Sequence, residues 1–475
     1  SKVSFSVIIN ITILITTLIL SFQSIPLQAQ VNFEETVDIG KRTRRWIVHL
    51  PTNYNPETQY PLYINMHGFT ANGNQQLNYS KFNDIADERG AIVIYPSGLD
   101  KRWNSGINFG IESDIDDVGF LSMLIDRMVL LYNADPIRVY SIGYSAGGFM
   151  SYRMACERAN RIAAIGPIVA SITNSTYETC VPARAFPIIA FNSTSDLVTS
   201  FSGMPGNFPS INDVMVFWAD KNGCDVNADT TEVPNTVAND LCTASKIEYK
   251  NCDEEVQQIL YRINNGGHTW PGTSVAGIGS TNQDISANVE IWNFTSQFVI
   301  PESYRCETPQ NLSVSINLDN NYTFNWDEQT GIESYSFALI DSANNIVFTD
   351  SIKNNQFNLE LIDPSIYRWS VSSHCNSGYV AWAKAQSVES VPTSIKNKIS
   401  DRLSIYPNPA QNSVNISNNS TMNKDNLLIF DTYGRIQKAN VSSSSQSISV
   451  DISNLDSGAY FIQMGDYSGS FIKLP

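Results

Sequence analysis

Histidine is scarce in this chain, with four residues in 475. Proton transfer near neutral pH therefore has few candidate groups, and the seven cysteines show no zinc spacing, so neither a metal nor a cofactor is expected. Positive charge is also short. Thirty Lys and Arg against 46 Asp and Glu leave a formal charge of −16, which argues against nucleic acid or an anionic membrane as partner. Long apolar runs are missing beyond the first thirty residues, so no stable membrane insertion is expected and the mature protein should be soluble. The one apolar stretch, Val7 to Leu20, follows Lys2 and breaks at Pro26 before Leu27-Gln28-Ala29. That reads as a secretory signal peptide over residues 1–29.

What the chain does have is a serine in a telling place. Arg138-Val139-Tyr140-Ser141-Ile142 reads as a short buried strand that runs into Gly143-Tyr144-Ser145-Ala146-Gly147. Phe149, Met150, Tyr152, Met154 and Ala155 then read as an amphipathic helix. A serine on such a strand-to-helix turn is pushed out above a sheet, and the helix N-terminus beneath it favours an oxyanion. The motif alone is weak evidence and needs partners.

His268 lies in the turn-rich segment Asn265-Gly266-Gly267-His268-Thr269-Trp270-Pro271-Gly272, after the strand-like run Ile259 to Ile263. It alone among the histidines follows the serine within the same α/β block, and it is read as the base. His67 follows another apolar run, Leu62 to Met66, and is read as ordering its loop; His49 and His374 are read as strand residues. Asp196 follows the apolar run Phe186 to Phe191 and lies between Ser145 and His268. It is preferred as the orienting carboxylate over Asp220, Asp225, Asp229 and Asp240. The order Ser, Asp, His is that of α/β-hydrolases. The oxyanion would be held by the N–H of Ala146 and by a second donor, Phe69 or Thr70. Trp103 and Trp270 are candidates for lining a substrate cleft, with burial the alternative for each. Asp116-Asp117 is read as capping the helix through Val118, Leu121, Leu124, Ile125, Met128 and Leu131.

Several blocks then occur together: His67-Gly68, Tyr95-Pro96-Ser97-Gly98, Trp103-Asn104, Asp116 to Phe120, Asp135 to Tyr140, the elbow, and Gly266 to Gly272. With them, Gly40 to Val299 resembles the polyhydroxybutyrate depolymerase and feruloyl esterase group of secreted serine esterases. The resemblance implies an α/β-hydrolase fold, a Ser145–His268–Asp196 triad and an ester substrate, polymeric in kind. Asn192-Ser193-Thr194 departs from the His-Gly-Thr frequent in that group, and a local loop change is expected there. Feruloyl or acetyl esters of polysaccharide are the preferred substrates. A poly(3-hydroxybutyrate) depolymerase is the alternative, and a non-catalytic surface binding protein on the same fold is a further one.

The last segment opens Leu403-Ser404-Ile405-Tyr406-Pro407-Asn408-Pro409-Ala410 and continues through Ile429 to Arg435 and Ile452 to Ile462. It resembles the C-terminal sorting domain of the type IX secretion system, which implies a partnership with that machinery and a secreted or cell-surface protein. Between the two, short strands around Trp326, Tyr335 to Ile340 and Tyr367 to Val371 suit a fibronectin type III-like sandwich, read as a spacer. The expected layout is a signal peptide at 1–29, an α/β-hydrolase domain at 30–301, a sandwich at 302–390, a linker at 391–402 and a sorting domain at 403–475. Export also predicts disulfides. Cys306–Cys375 and Cys224–Cys252 are the preferred pairs, with Cys156, Cys180 and Cys242 left open.

Overall fold

The computed structural model describes residues 32–106, 115–316, 321–360, 367–388, 403–417, 427–431, 436–443, 447–464 and 467–474. The segment 1–29 and the linker 391–402 lie outside the described residues.

Ten strands build the first sheet: β1 (Asn32–Ile39), β2 (Arg42–His49), β3 (Tyr60–Met66), β4 (Ile92–Ser97), β5 (Ala134–Tyr144), β6 (Ala164–Ile168), β7 (Ile188–Ser193), β8 (Asp229–Glu232), β9 (Thr243–Tyr249) and β10 (Gln258–Asn264). Their order across the sheet is β1-β2-β4-β3-β5-β6-β7-β10-β9-β8. The six strands from β4 to β10 run parallel, and antiparallel pairs close both edges. Parallel strands covered on both faces must be apolar throughout, and β3, β6 and β7 are buried at every position. Among the described residues seven helices flank this sheet: α1 (Gly73–Ser80), α2 (Asn83–Arg89), α3 (Asp117–Tyr132), α4 (Ala146–Glu157), α5 (Asn174–Thr179), α6 (Ile211–Lys221) and α7 (Ala287–Thr295). The strand period of two sends Leu62, Ile64 and Met66 into a core with α3, α4 and α6, while Tyr63 joins the opposite core with α2 and α7. This is an α/β-hydrolase fold.

Two small all-β sandwiches follow. The first pairs the strands Ser313–Ile316, Asn321–Asn325 and Gln356–Glu360 in one sheet, and the longer strands Ile332–Ile340 and Arg368–Cys375 in the other. Trp326, Phe324, Phe337 and Trp369 fill the space between these sheets. This sandwich is docked on α3. Leu130 packs with Ala338, Ile340, Val380 and Trp382, and the Trp382 indole N–H donates to Asp126 at 2.8 Å. Arg161 reaches the same Asp126 oxygen at 2.5 Å, and the Asn160 side chain donates to the Ser377 carbonyl. A spacer that only separates its neighbours needs no such surface, so the second apolar face of α3 is explained by what it covers. The last sandwich holds two four-stranded sheets around Val414, Ile416, Ile429, Val450, Tyr460 and Phe471.

Cys306–Cys375 and Cys224–Cys252 are bonded as expected, and Cys156–Cys180 forms a third bridge that leaves Cys242 free and buried. No described helix is long and apolar enough to cross a membrane.

Candidate active site

Ser145 follows the last residue of β5 and is the N-cap residue of α4, with φ 54° and ψ −119°, a conformation that costs a non-glycine residue on the order of 1–3 kcal/mol. The flanking glycines explain how the turn is possible. A Cβ on Gly147 would fall 2.2 Å from the Met66 carbonyl oxygen, and one on Gly143 would fall 2.4 Å from the Gly147 carbonyl. Backbone meets backbone on both sides, so only glycine fits. The Ser145 hydroxyl makes no capping bond to α4, and its own carbonyl instead accepts from the amides of Gly148 and Phe149 at 2.8 and 3.0 Å. The hydroxyl is thus not spent on the helix. Ala146 follows as the first residue of α4, where helix amides point outward.

Asp196 and His268 approach from neighbouring strand ends. β7 and β10 pair in parallel, and their following loops stay laced together: Thr194 N–H donates to Ile263 O, Ser195 N–H to Gly266 O, and Asn265 N–H to the Thr194 hydroxyl. This lacing uses Thr194, the position of Asn192-Ser193-Thr194 that keeps the threonine of His-Gly-Thr. Asn192 is drawn inward instead, donating to Ala170 O at 2.9 Å. The result is a short contact of 2.7 Å between His268 Nδ1 and Asp196 Oδ2, with both side chains under 5 % exposed. The other Asp196 oxygen accepts the amides of Val198 and Thr199, at 2.7 and 2.9 Å, which fixes the carboxylate plane. The His268 amide donates to Ile278 O at 2.7 Å.

His67 opens the turn on the other side of the serine. Its Nε2 accepts the Gly98 amide at 2.9 Å, so the ring proton sits on Nδ1 and goes to Gly68 O at 2.7 Å. Burial holds its pKa down at about 4, opposed only in part by that bond. A neutral histidine with both nitrogens engaged orders its loop and does no proton chemistry, as its place in the sequence implied. A Cβ on Gly68 would lie 3.3 Å from the Ser145 Cβ, so this turn abuts Ser145 directly. Thr70 and Phe69, the two candidate second donors, differ here. Thr70 adopts φ 66° and gives its amide to Lys101 O at 3.0 Å, so that amide is already engaged within the turn.

Trp103 and Trp270, the two candidates for lining a substrate cleft, are buried. Both are 1 % exposed. The Trp103 indole N–H donates to His67 O at 2.9 Å and its ring lies 5.0 Å from the His67 ring, while the Trp270 N–H donates to Asn288. Each is a prop for one of the two loops. Burial, the alternative to a place in the substrate cleft, is what the structure shows at both positions. Asp116 caps α3 through the Gly119 amide at 2.7 Å, but Asp117 turns inward. It meets Arg44 at 2.6 Å with both side chains almost fully buried, and its second oxygen accepts the Asn104 amide at 2.7 Å. Arg44 in turn lies 3.7 Å over the Phe120 ring. Arg44 was missed in the sequence; the one signal was its position two residues before Trp46 on a strand that alternates. Among the described residues no cluster of His, Cys, Asp and Glu could hold a metal ion.

The C-terminal strands now have a family. Residues 404–473 match the secretion system C-terminal sorting domain. The chain ends in a type IX sorting domain. Upstream of that sorting domain the chain is similar to esterases. Feruloyl esterase B of Piromyces equi is 30% identical over 272 residues, 54% of this chain and 46% of that protein. A bifunctional acetylxylan esterase/xylanase of Neocallimastix patriciarum is 27% identical over 254 residues, 53% of this chain and 33% of that protein. The chain thus spans less than half the length of these two curated relatives. Among solved structures, the acetyl xylan esterase from Aspergillus awamori aligns with 50% of the chain and 94% of its own at 16% identity and a TM-score of 0.39.

Proposed function

We propose that this protein is a serine carboxylic-ester hydrolase that works through an acyl-enzyme. The observation that carries the reading is the 2.7 Å pairing of His268 with Asp196 on loops that flank a strained, uncapped Ser145. His268 Nε2 takes the Ser145 proton as Oγ attacks the ester carbonyl. The amides of Ala146 and Phe69 hold the oxyanion, and Asp196 steadies the imidazolium. Collapse expels the alcohol, which takes the proton from His268 and leaves an acyl-serine. Water, deprotonated by His268, then releases the acid and restores the serine.

Feruloyl or acetyl esters of polysaccharide are the proposed substrates. The named activities of the two curated relatives support this class, and so do the exposed apolar side chains beside the site. Phe69 follows the Gly68 turn, Leu197 follows Asp196, and Ile278 bonds to His268; they are 41 %, 90 % and 56 % exposed. Such a rim suits the aromatic ring of a hydroxycinnamate. The sorting domain supports export by type IX machinery to the cell surface or beyond, with residues 1–29 as the leader.

Ser145→Ala should lower kcat for p-nitrophenyl acetate by about 10⁴-fold or more, since the nucleophile has no substitute. Substantial turnover by the purified variant would defeat the proposal. Rates on methyl ferulate, acetylated xylan and 3-hydroxybutyrate oligomers would then rank the substrates, with the oligomers expected last.

A further inference from the structure

Tyr144 occupies an open position of the elbow motif, yet its side chain reaches across to the base loop. The hydroxyl donates to the His268 carbonyl at 2.8 Å, and the ring lies 5.0 Å from the imidazole with the planes 50° apart. The same ring packs on the donor turn, since a Cβ on Gly68 would come within 2.8 Å of Tyr144 Cδ1. Behind it stands Tyr79, edge-on at 4.9 Å, whose hydroxyl accepts the Trp270 amide at 3.1 Å and whose carbonyl accepts the Thr273 hydroxyl at 3.0 Å. One residue therefore touches all three parts of the site. It is bonded covalently to Ser145, it packs on the turn that carries Phe69, and it holds the residue that carries the base.

The contacts of His268 show why this matters. Asp196 fixes the ring at Nδ1, which sets its tautomer and one axis. Ile278 fixes the amide, and Tyr144 fixes the carbonyl. Without the last bond the peptide plane after His268 keeps only the Thr269 amide's bond to Gly267 O at 3.0 Å, and a tilt about that one tether carries the ring with it about the Asp196 contact. A shift of about 1 Å in a reacting group can cost about 10²-fold in rate. Burial raises the pKa of the Tyr144 hydroxyl, so it stays a protonated donor across the working pH range.

We propose that Tyr144 is a positioning residue for His268, setting the imidazole in register with the Ser145 hydroxyl. The proposal rests on the esterase reading above. Tyr144→Phe keeps the ring and removes only the hydroxyl. It should lower kcat on p-nitrophenyl acetate by about ten-fold while KM changes by less than about two-fold, and Tyr144→Leu should lower kcat by about 10²-fold. The downfield proton resonance of the His268–Asp196 bond should shift or broaden in Tyr144→Phe, an effect that general loosening of the fold would not single out. Wild-type kcat with an unmoved resonance in folded Tyr144→Phe would overturn the proposal, and so would a rise in KM alone. If Tyr144→Phe fails to fold, Tyr79→Phe decides. That variant loosens the backing of Tyr144 without touching His268, and a fall in kcat at constant KM supports the role while unchanged kinetics reject it. An inert Ser145→Ala beside a fully active Tyr144→Phe removes the positioning role and leaves the esterase reading standing. An active Ser145→Ala removes the reading itself.

Discussion

Two histidines flank the same serine, each in a loop at the C-terminal end of a parallel strand and each buried. His67 meets a carbonyl and an amide, whereas His268 meets a carboxylate. That single difference separates their tasks. The Gly68 carbonyl favours a positive ring only in part and the Gly98 amide donor opposes one, so burial drives His67 down to about 4. A carboxylate offers a counter-charge to the imidazolium that the proposed mechanism forms on His268. Strand-end position therefore marks where chemistry can occur, and the partner of the ring decides whether it does.

The comparison breaks most sharply at the base. His268→Gln should lower kcat by about 10⁴-fold or more, as loss of a triad member does, whereas His67→Gln should cost only about 10- to 10²-fold through a disturbed oxyanion donor. Steady-state hydrolysis of p-nitrophenyl acetate by both purified variants measures the gap. Equal losses would mean that the two loops had been assigned the wrong work.

The donor turn can also be loosened from a distance. His67 O holds the Trp103 indole, the next residue Asn104 donates to Asp117, and Asp117 is neutralised by Arg44. Removing one partner of a buried ion pair leaves an uncompensated charge, so Asp117→Ala should destabilise the fold by about 3–5 kcal/mol in denaturant unfolding. Replacing both partners with apolar residues of similar volume should recover most of that loss. A cost under about 1 kcal/mol for Asp117→Ala would show that the pair does not brace the turn.

These particulars also show how much was legible beforehand. Ser145, Asp196 and His268 stood out as candidates because each follows an apolar run in the chain order of α/β-hydrolases, and the structure pairs the last two at 2.7 Å. The α/β-hydrolase fold was implied by the family resemblance, and the strands of both sandwiches were legible in their spacing and turns. Asp117 was not, because two adjacent acids before an apolar helix both look like caps, and only the fold brings Arg44 within reach of one. Trp103 and Trp270 were ambiguous because a large aromatic near a catalytic loop suits a cleft and a prop equally well. Thr70 could not be told from Phe69, since the choice depends on a left-handed backbone angle that threonine rarely adopts. The docking of the first sandwich on α3 was hidden for another reason. Val129, Leu130 and Leu131 look like an overlong apolar face until their partners, more than two hundred residues away, are in place.

The smallest effect concerns acid. The unfolded chain carries His67 near pKa 6.5, while the folded protein holds it at about 4. As pH falls below 6.5, the unfolded state gains a proton that the folded state refuses, so stability falls. The loss ends near pH 4, where both states are protonated, and a proton on Nε2 then faces the Gly98 amide donor. The stability tied to this ring is thus fully present above pH 6.5 and amounts to about 3 kcal/mol across the window. Denaturant unfolding of wild type and His67→Gln at matched pH values should show the extra slope in the wild type alone, and NMR titration should find the imidazole neutral at pH 5. A ring that titrates near 6.5 would mean that water reaches the donor turn, and the contrast between the two histidines would then rest on geometry alone.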